Sequence, residues 1–504
     1  MSRAPLLILQ MQRMGDVVLS FPLLGWLAAA FPGHPLWVAG EAAFFKPLLP
    51  LSPQAVYFSP ESLPPLAGQA FHAVLNLSHR PEAARLAAAA RADIRVGPYL
   101  DAQGALRIQG DWQLYRASLT HNNRYNLFHW ADLNALDLIA PAAMRATVWP
   151  PARRPPASGA ARVGLFLGAS EADKRPLAGF WARLARLLLQ AGHKPVLLGG
   201  PGELELGRRA AARLRAPALN LCGRFSVSGL ARFIAGLDLF ITPDTGPMHV
   251  AAWTGVPLLN LSLGPVNAWE TGPFAPGHHV LRPVLDCAGC WGCVRPRLDC
   301  RAAVRAEAVA ALARALLAQS PLEALASRCP GLEIMRSARD AHGLFSLETL
   351  LASPPSGGFL TGALRPGALP PDHGPGDPDF PRAALALARG DLSRFWRSWF
   401  GALFRRLPPE DSAAAWRRLA ANHPRAAEVL AGGLADLART LAGTARSGAP
   451  PDGRDFWRAV PGPLRPLSSY IHLSLQNDPS RPSLLRAVSL VESLRAQTGR
   501  DAWP

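Results

Sequence analysis

Residues 237–252 read Leu-Asp-Leu-Phe-Ile-Thr-Pro-Asp-Thr-Gly-Pro-Met-His-Val-Ala-Ala, and this stretch indicates the fold of the chain. An apolar run typical of a buried strand leads directly into a run of small residues typical of a helix. Asp244 and Thr245 are residue types preferred at helix N-caps, and proline is favoured in the first helical turn. A strand that passes at once into a helix is the repeating unit of α/β domains with a parallel sheet.

The turn between this strand and this helix suits an anion. Gly246 has no side chain that would hold a ligand away from the backbone. The N–H groups of a helix N-terminus lie at the positive end of the helix dipole, where phosphate binds well. His249 follows about one turn later and adds a donor. From these residues alone, a capped helix without a ligand stays an open alternative.

The composition favours a multidomain protein with large buried cores, because the chain has 504 residues and 49% of them are hydrophobic. A formal net charge of +17 admits nucleic acid or an anionic membrane surface as a partner. The basic residues are almost all arginine, however, which indicates a compositional bias. The chain also lacks short basic blocks with interleaved aromatic residues and any standard nucleic-acid module. We therefore expect no nucleic-acid partner.

The hydropathy pattern predicts a cytoplasmic protein. No apolar stretch reaches the roughly 18–20 residues that a membrane span needs. Residues 17–31 come nearest to a signal-peptide core, but they follow Asp16 and contain Pro22, which fits a buried strand–helix unit better. In that compartment the six cysteines are expected to be thiols or metal ligands rather than disulfides.

Strands and helices alternate in two successive blocks, which predicts an α/β fold with two doubly wound Rossmann-like domains and a ligand in the cleft between them. The blocks cover residues 1–150 and 151–330, and a Pro/Arg-rich break at 150–156 separates them. Residues 331–380 are rich in Pro and Gly and are predicted to be a linker. Residues 381–504 are rich in Ala, Leu and Arg and are predicted to form a helical accessory region. A chain ending near residue 330 is therefore expected to fold alone and bind its ligand.

Other turns after predicted strands carry polar residues that suit chemistry. Asp16 follows the first strand at the mouth of the cleft, where it either caps a helix or acts as a general base. Ser170 and Lys174 follow the first strand of the second domain and suit contact with phosphate. Glu203 follows a glycine-rich turn and offers a carboxylate to ribose hydroxyls.

In this order and spacing, the motifs resemble those of the lipopolysaccharide heptosyltransferases of glycosyltransferase family 9. The resemblance covers residues 1–318 and is densest over 162–275. The motifs that carry it are Met14-Gly15-Asp16…Pro22, Gly168…Lys174…Trp181, Gly199-Gly200…Glu203, Leu221-Cys-Gly223 and Asp244-Thr-Gly-Pro-Met-His249.

The resemblance implies a GT-B fold, in which the first domain binds the acceptor and the second binds a nucleotide sugar. It also implies inverting transfer of a heptose from ADP-heptose to a lipid-linked or glycan acceptor in lipopolysaccharide core biosynthesis. No metal or cofactor is required for this reaction, and peripheral contact with the cytoplasmic face of the inner membrane is compatible with it. Asp16 aligns with the family's proposed base, and Arg80 loosely matches a basic acceptor-side position. The donor and its diphosphate are expected to contact Ser170, Lys174, Glu203, Asp244, Thr245, Gly246 and His249.

Several alternatives to this function stay open. The chain could be a non-catalytic relative that binds a nucleotide sugar or a protein partner, although the presence of both Asp16 and Lys174 argues against this. It could transfer another sugar, or be a sugar-nucleotide epimerase on the same fold. An acceptor-side base near Gly15-Asp16 favours transfer. A basic protein that binds nucleic acid or a membrane surface is the remaining class.

A cysteine-rich segment has the spacing C-x₂-C-x₂-C-x₆-C. Its four thiols match the number of ligands in a tetrahedral zinc site or an iron–sulfur site. The two-residue gaps make simultaneous ligation awkward, so a structural metal and unliganded thiols are both open interpretations. We expect no catalytic role for these cysteines, which are Cys287, Cys290, Cys293 and Cys300.

Overall fold

The computed structural model describes residues 3–60, 69–156, 159–214, 219–285, 287, 290–293, 297–352, 382–447, 460 and 462–498. Two sheets flanked by helices are followed by a group of C-terminal helices, which confirms the predicted fold class. A search of the described helices finds none that combines the length and the apolar character needed to cross a membrane.

The first domain is built on a six-stranded sheet. Its strands are β1 (Leu6–Leu9), β2 (Leu36–Ala39), β3 (Val56–Phe58), β4 (Ala70–Asn76), β5 (Arg91–Leu100) and β6 (Leu106–Gln109). They lie in the order β3-β2-β1-β4-β5-β6, and only β5 and β6 pair antiparallel. Leu6 and Ile8 of β1 face one hydrophobic core, and Leu7 and Leu9 face another. The sequence of a strand buried on both faces is a continuous run of apolar residues, which explains why β1 was predictable.

The helices of the first domain follow its strands. They are α1 (Met14–Leu19), α2 (Phe21–Ala30), α3 (Ala42–Phe45), α4 (Pro81–Ala89), α5 (Asp111–Ser118), α6 (Trp130–Leu133) and α7 (Pro141–Ala146). Helix α2 begins with Phe-Pro at its first two positions, a favourable start because the proline needs no hydrogen bond there. Its Trp26 ring contacts Trp149 and, across the domain boundary, Phe274. The two domains therefore share an aromatic core.

The second domain is built on an eight-stranded sheet. Its strands are β7 (Arg162–Phe166), β8 (Lys194–Leu198), β9 (Leu219–Asn220), β10 (Leu239–Pro243), β11 (Leu258–Leu261), β12 (His279–Pro283), β13 (Leu332–Arg339) and β14 (Phe345–Ala352). They lie in the order β14-β13-β12-β11-β10-β7-β8-β9. The helices are α8 (Ala178–Gln190), α9 (Leu204–Leu214), α10 (Val227–Ala235), α11 (Gly246–Trp253), α12 (Ala268–Thr271), α13 (Asp299–Ala303) and α14 (Ala306–Leu317).

The prediction that residues 331–380 form a linker is wrong for residues 332–352. Residues 332–352 form the hairpin β13–β14, which pairs antiparallel with β12 and extends the second sheet. Ile334 and Phe345 of this hairpin are fully buried. Since the hairpin needs a distant strand as its partner, no local pattern marks it. Residues 353–381, where the Pro/Gly-rich composition is strongest, lie outside the described residues.

Among the described residues, five helices follow, as predicted for the C-terminal region. They are α15 (Arg382–Leu403), α16 (Pro409–Asn422), α17 (Pro424–Ser447), α18 (Arg465–Asn477) and α19 (Arg481–Thr498). They pack on the first domain, where the ring of Phe400 lies 4.6 Å from that of Tyr115 and the ring of Phe404 lies 5.0 Å from that of Trp112. The side chain of Asn477 exchanges two hydrogen bonds with the backbone of Ile108 in β6. The helices are thus part of the core of the first domain.

Buried charges join the hairpin to the first domain and to α15. The Asp132 carboxylate of α6 accepts hydrogen bonds from the Phe345 N–H at 2.7 Å and from Arg339 at 3.3 Å. Arg397 of α15 donates to the Asp340 carboxylate at 2.6 Å and to the Leu127 carbonyl oxygen at 2.8 Å. Three separate parts of the chain are therefore held in one arrangement.

Candidate functional site

The two domains meet where the turn after β1 contacts the start of α11. A Cβ atom at Gly15 would lie 3.0 Å from the His249 ring, and one at Gly246 would overlap the Met14 side chain. Glycine at both positions lets the two backbones come this close. Asp16 is thereby placed beside the Asp244–His249 segment, as expected for two halves of one site.

The N-terminus of α11 differs from the capped helix that its sequence suggested. Thr245 occupies the N-cap position, but its side chain makes no capping hydrogen bond in the described structure. The Asp244 carboxylate instead accepts a hydrogen bond from Thr271 Oγ1 at 2.6 Å and lies 3.8 Å from His249 Nε2. No side-chain cap covers the first turn of α11 in the described structure, and Gly246 in that turn contacts Met14 and Gly15. The positive end of the helix dipole therefore lies beside the turn after β1.

Asp16 lies in the first turn of α1 and is partly exposed. Burial raises the pKa of its carboxyl group, and the positive charge of Arg116 opposes this rise. Arg116 comes from α5, is buried, and donates to the Leu77 carbonyl oxygen at 3.3 Å. Its guanidinium group also lies 4.8 Å from the centre of the Trp130 ring. The sequence analysis missed Arg116, because no local motif links it to the turn after β1.

Glu270 is a second functional candidate that the sequence analysis missed. This buried residue of α12 accepts hydrogen bonds from Asn123 Nδ2 at 2.6 Å and Trp130 Nε1 at 2.5 Å, both in the first domain. Burial raises the pKa of the Glu270 carboxyl group to about 7, and these bonds and the charge of Arg116 oppose the rise. Arg116 thus lies between two carboxyl groups, one from each domain.

Lys174 and His249 of the second domain lie near each other. The Lys174 side chain is 17% exposed, and its Nζ atom is 3.6 Å from the Glu171 carboxylate. Burial lowers the pKa of the buried His249; the Asp244 charge opposes this, and the Lys174 charge adds to it. His249 is therefore a neutral imidazole near pH 7, able to donate one hydrogen bond. Ser170 is exposed on the loop before Lys174.

Glu203 lies beside the turn that follows β7. Its carboxylate accepts the Gly200 N–H at 2.9 Å and is 3.7 Å from Arg175 Nη1. A Cβ atom at Gly168 would lie 2.7–3.0 Å from this carboxylate, so the glycine makes room for it. Glu203 therefore lies beside the turn after β7 in the second domain, with part of its hydrogen-bonding capacity already used.

Arg80 lies at the carboxyl edge of the first sheet. Its exposed guanidinium group pairs with the Glu41 carboxylate at 2.5 Å. Arg80 follows β4 and Glu41 follows β2, which flank β1 in the sheet. Because the carboxyl ends of parallel strands share one edge, both residues lie on the same side of the sheet as Asp16.

The four clustered cysteines do not fit a metal site in this structure. They line one small cavity, where the Gly264 N–H donates to Cys300 Sγ at 3.4 Å. Burial, and then the three neighbouring cysteines, raise the pKa of the Cys290 thiol to about 12. Among the described residues, no three His, Cys, Asp or Glu side chains are arranged as metal ligands. The thiol interpretation fits the geometry.

Comparison with known proteins finds similarity to one family over part of the chain. The model for glycosyltransferase family 9 (heptosyltransferase) matches residues 65–293, a range that contains all the donor-side candidates and begins after Asp16. Lipopolysaccharide heptosyltransferase 1 of Pseudomonas aeruginosa is 34% identical over 112 residues, which are 22% of this chain and 31% of that protein. Lipooligosaccharide heptosyltransferase 2 of Campylobacter jejuni is 34% identical over 117 residues, 22% of this chain and 36% of that protein.

The chain thus spans about a third of the length of the curated relatives it matches. A solved family 9 glycosyltransferase from Veillonella parvula is 19% identical, with a TM-score of 0.46, and the match covers 63% of this chain and 98% of that one. The range that the family model matches contains Lys174, Glu203 and Asp244–His249. Residues 65–293 are thus similar to glycosyltransferase family 9.

Proposed function

We propose that this chain is an inverting, metal-independent glycosyltransferase that moves a heptose from ADP-heptose to a lipopolysaccharide core acceptor. The observation that carries the proposal is the contact between the Gly15-Asp16 turn and the uncapped start of α11. It sets a carboxylate of the first domain opposite an anion-attracting backbone in the second. An acceptor hydroxyl and a leaving diphosphate need these two groups on opposite sides of the reacting carbon.

The transfer is a single displacement. The acceptor hydroxyl oxygen attacks the anomeric carbon of the heptose while Asp16 accepts the hydroxyl proton. The bond between that carbon and the diphosphate oxygen breaks, and its electron pair leaves with ADP. Because the attack comes from the face opposite the leaving group, the anomeric configuration inverts.

The negative charge on the leaving diphosphate is stabilised by fixed groups of the second domain. The first-turn N–H groups of α11 provide a partial positive charge at no cost of reorganisation. Lys174 adds a full positive charge, and the His249 ring adds a neutral donor. With these groups in place, the step needs no divalent cation.

The dependence of kcat/KM on pH tests whether Asp16 is the general base. Because a general base must be ionised, kcat/KM should fall as the pH drops through the raised pKa of Asp16. Arg116→Gln removes the charge that holds this pKa down, so the acid limb should move to higher pH. The measurement is a kcat/KM profile of both proteins. An acid limb at the same pH in both would show that Arg116 does not act on the base.

The affinity for ADP tests whether Lys174 and His249 belong to the donor site. Lys174→Ala and His249→Ala should each weaken ADP binding by about 1–3 kcal/mol, the usual range for hydrogen bonds to charged groups. Calorimetry on the purified variants measures the change. Arg183→Ala, which removes an exposed arginine paired with Glu307, serves as the matched control. Unchanged ADP affinity in both site variants would rule out this assignment of the donor site.

The function itself is tested with a panel of ADP-, UDP- and GDP-sugars in the presence of EDTA. We expect mass spectrometry to find one heptose added to a core acceptor, with ADP-heptose as the donor. Transfer of a different sugar would support the alternative of another donor, and loss of transfer in EDTA would contradict metal independence. We also propose that the protein acts in the cytoplasm, at the membrane face that carries its acceptor.

A further inference from the structure

A cavity of about 670 Å³ lies where the first domain, the second sheet and α15 meet. It is separate from the groups that the proposed reaction uses. Asn267 and Trp269 line it and come directly before Glu270 in the chain. Asn267 Nδ2 donates to the Asn123 and Asn126 carbonyl oxygens at 2.8 and 2.9 Å, and Asn123 Nδ2 in turn donates to Glu270. Helix α12 therefore connects the cavity lining to Glu270.

The cavity lining is strongly basic. Five arginines and two carboxylates border it. Two of the arginines have carboxylate partners: Arg394 pairs with Asp391 at 3.0 Å, and Arg397 pairs with Asp340 at 2.6 Å. Their charges are already compensated by the protein.

The other three arginines come from three different parts of the chain. Arg124 lies between α5 and α6, Arg282 lies in β12, and Arg389 lies in α15. Arg389 donates to the Arg124 carbonyl oxygen at 3.2 Å. Within the described residues, none of the three forms an ion pair with a carboxylate, and Arg282 is buried without a side-chain hydrogen bond.

The electrostatics agree with this geometry. Burial, followed by the charges of Arg282 and Arg124, lowers the pKa of Arg389 to about 9, and Tyr125 and the Glu333 carboxylate of the cavity lining oppose this shift. Like charges held together away from water are unfavourable unless an opposite charge joins them. Planar guanidinium groups bind the oxygens of phosphate in pairs, which makes arginine well suited to this ligand.

We propose that Arg124, Arg282 and Arg389 form a phosphate-binding site, distinct from the donor diphosphate site at α11. Its ligand is a phosphate monoester or a diphosphate. The connection through α12 to Glu270 and Arg116, which acts on Asp16, favours a phosphate group carried by the acceptor, and this part of the proposal rests on the proposed function. A free phosphate ion is the other source of the same chemistry.

Binding is tested on the full chain saturated with ADP, so that the donor site is filled. Calorimetry with pyrophosphate should show an additional site. Arg282→Gln and Arg389→Gln should each weaken this binding about tenfold or more, since each removes a charge-assisted contact. Arg394→Gln changes a compensated arginine in the same cavity and is the matched control.

Two outcomes would overturn the site: no pyrophosphate binding by the ADP-saturated protein, or an equal loss in Arg394→Gln. Arg389→Lys keeps the charge and should retain more affinity than Arg389→Gln, which separates a charge effect from a folding defect. These binding experiments give an answer even if the chain transfers no sugar.

The source of the phosphate is tested by transfer kinetics. If the acceptor carries it, Arg282→Gln should raise KM for a phosphorylated core acceptor by more than it raises KM for the same acceptor after phosphatase treatment. If free phosphate is the ligand, the two KM values should change alike while pyrophosphate binding is still weakened. A change in neither KM nor pyrophosphate affinity would contradict the proposal.

Discussion

Asp16→Asn is expected to lower turnover by roughly 10²–10⁴-fold, the usual scale for loss of a general base. The amide has nearly the same shape as the carboxylate but cannot accept the acceptor proton. ADP affinity should stay near the wild-type value, because the diphosphate is held by α11 and Lys174 in the other domain. The measurements are steady-state turnover with saturating acceptor and calorimetry with ADP.

Two controls show whether the loss of turnover in Asp16→Asn comes from removal of the general base. Glu82→Gln removes an exposed carboxylate of α4 and should leave turnover unchanged. The residual activity of Asp16→Asn should also lack the acid limb that the wild-type pH profile shows. Turnover near the wild-type value in Asp16→Asn would remove this residue from the mechanism.

Removal of the chain after residue 330 is expected to leave an insoluble or unfolded protein. The composition alone led to the opposite expectation of an independent fragment. The cut removes β13 and β14, which cover the β12 edge of the second sheet, and all five C-terminal helices. It also exposes Trp112 and Tyr115, which are buried against Phe404 and Phe400.

The expected loss of folding stability follows from the size of these side chains. Burial of one large apolar side chain contributes about 1.5–3 kcal/mol, and domains are stable by only about 5–15 kcal/mol. Exposure of several such residues is therefore enough to unfold the first domain. Circular dichroism and size-exclusion chromatography of residues 1–330 and 1–352 would measure the effect, and the second fragment isolates the contribution of the helices.

A point substitution tests the same contact in the intact chain. Phe400→Ala should cost about 3–5 kcal/mol of unfolding free energy, as is usual for a buried aromatic residue. Leu485→Ala, at an exposed position of α19, is the control. A monomeric 1–330 fragment that binds ADP as the full chain does would show that the catalytic core ends where the composition changes.

The sequence by itself determined the features that depend on neighbouring residues. The buried strand β1 and the strand-to-helix passage at β10 and α11 are each carried by one short stretch with its own periodicity. Asp16, Lys174 and Glu203 were found because each follows a predicted strand, and the carboxyl ends of parallel strands meet at one edge. The order and spacing of these turns were enough to indicate the resemblance to glycosyltransferase family 9.

The tertiary structure decided what depends on residues far apart in the chain. Arg116 lies about a hundred residues from the turn it influences, and the Glu270 carboxylate is held by partners from the other domain. The hairpin β13–β14 forms because β12 offers it an edge, although its own segment borders a Pro/Gly-rich stretch. The composition of the C-terminal helices predicted an accessory region, yet their apolar faces complete the core of the first domain. Local patterns in the sequence predict which side chains will be buried. The residues that they are buried against depend on the folded chain.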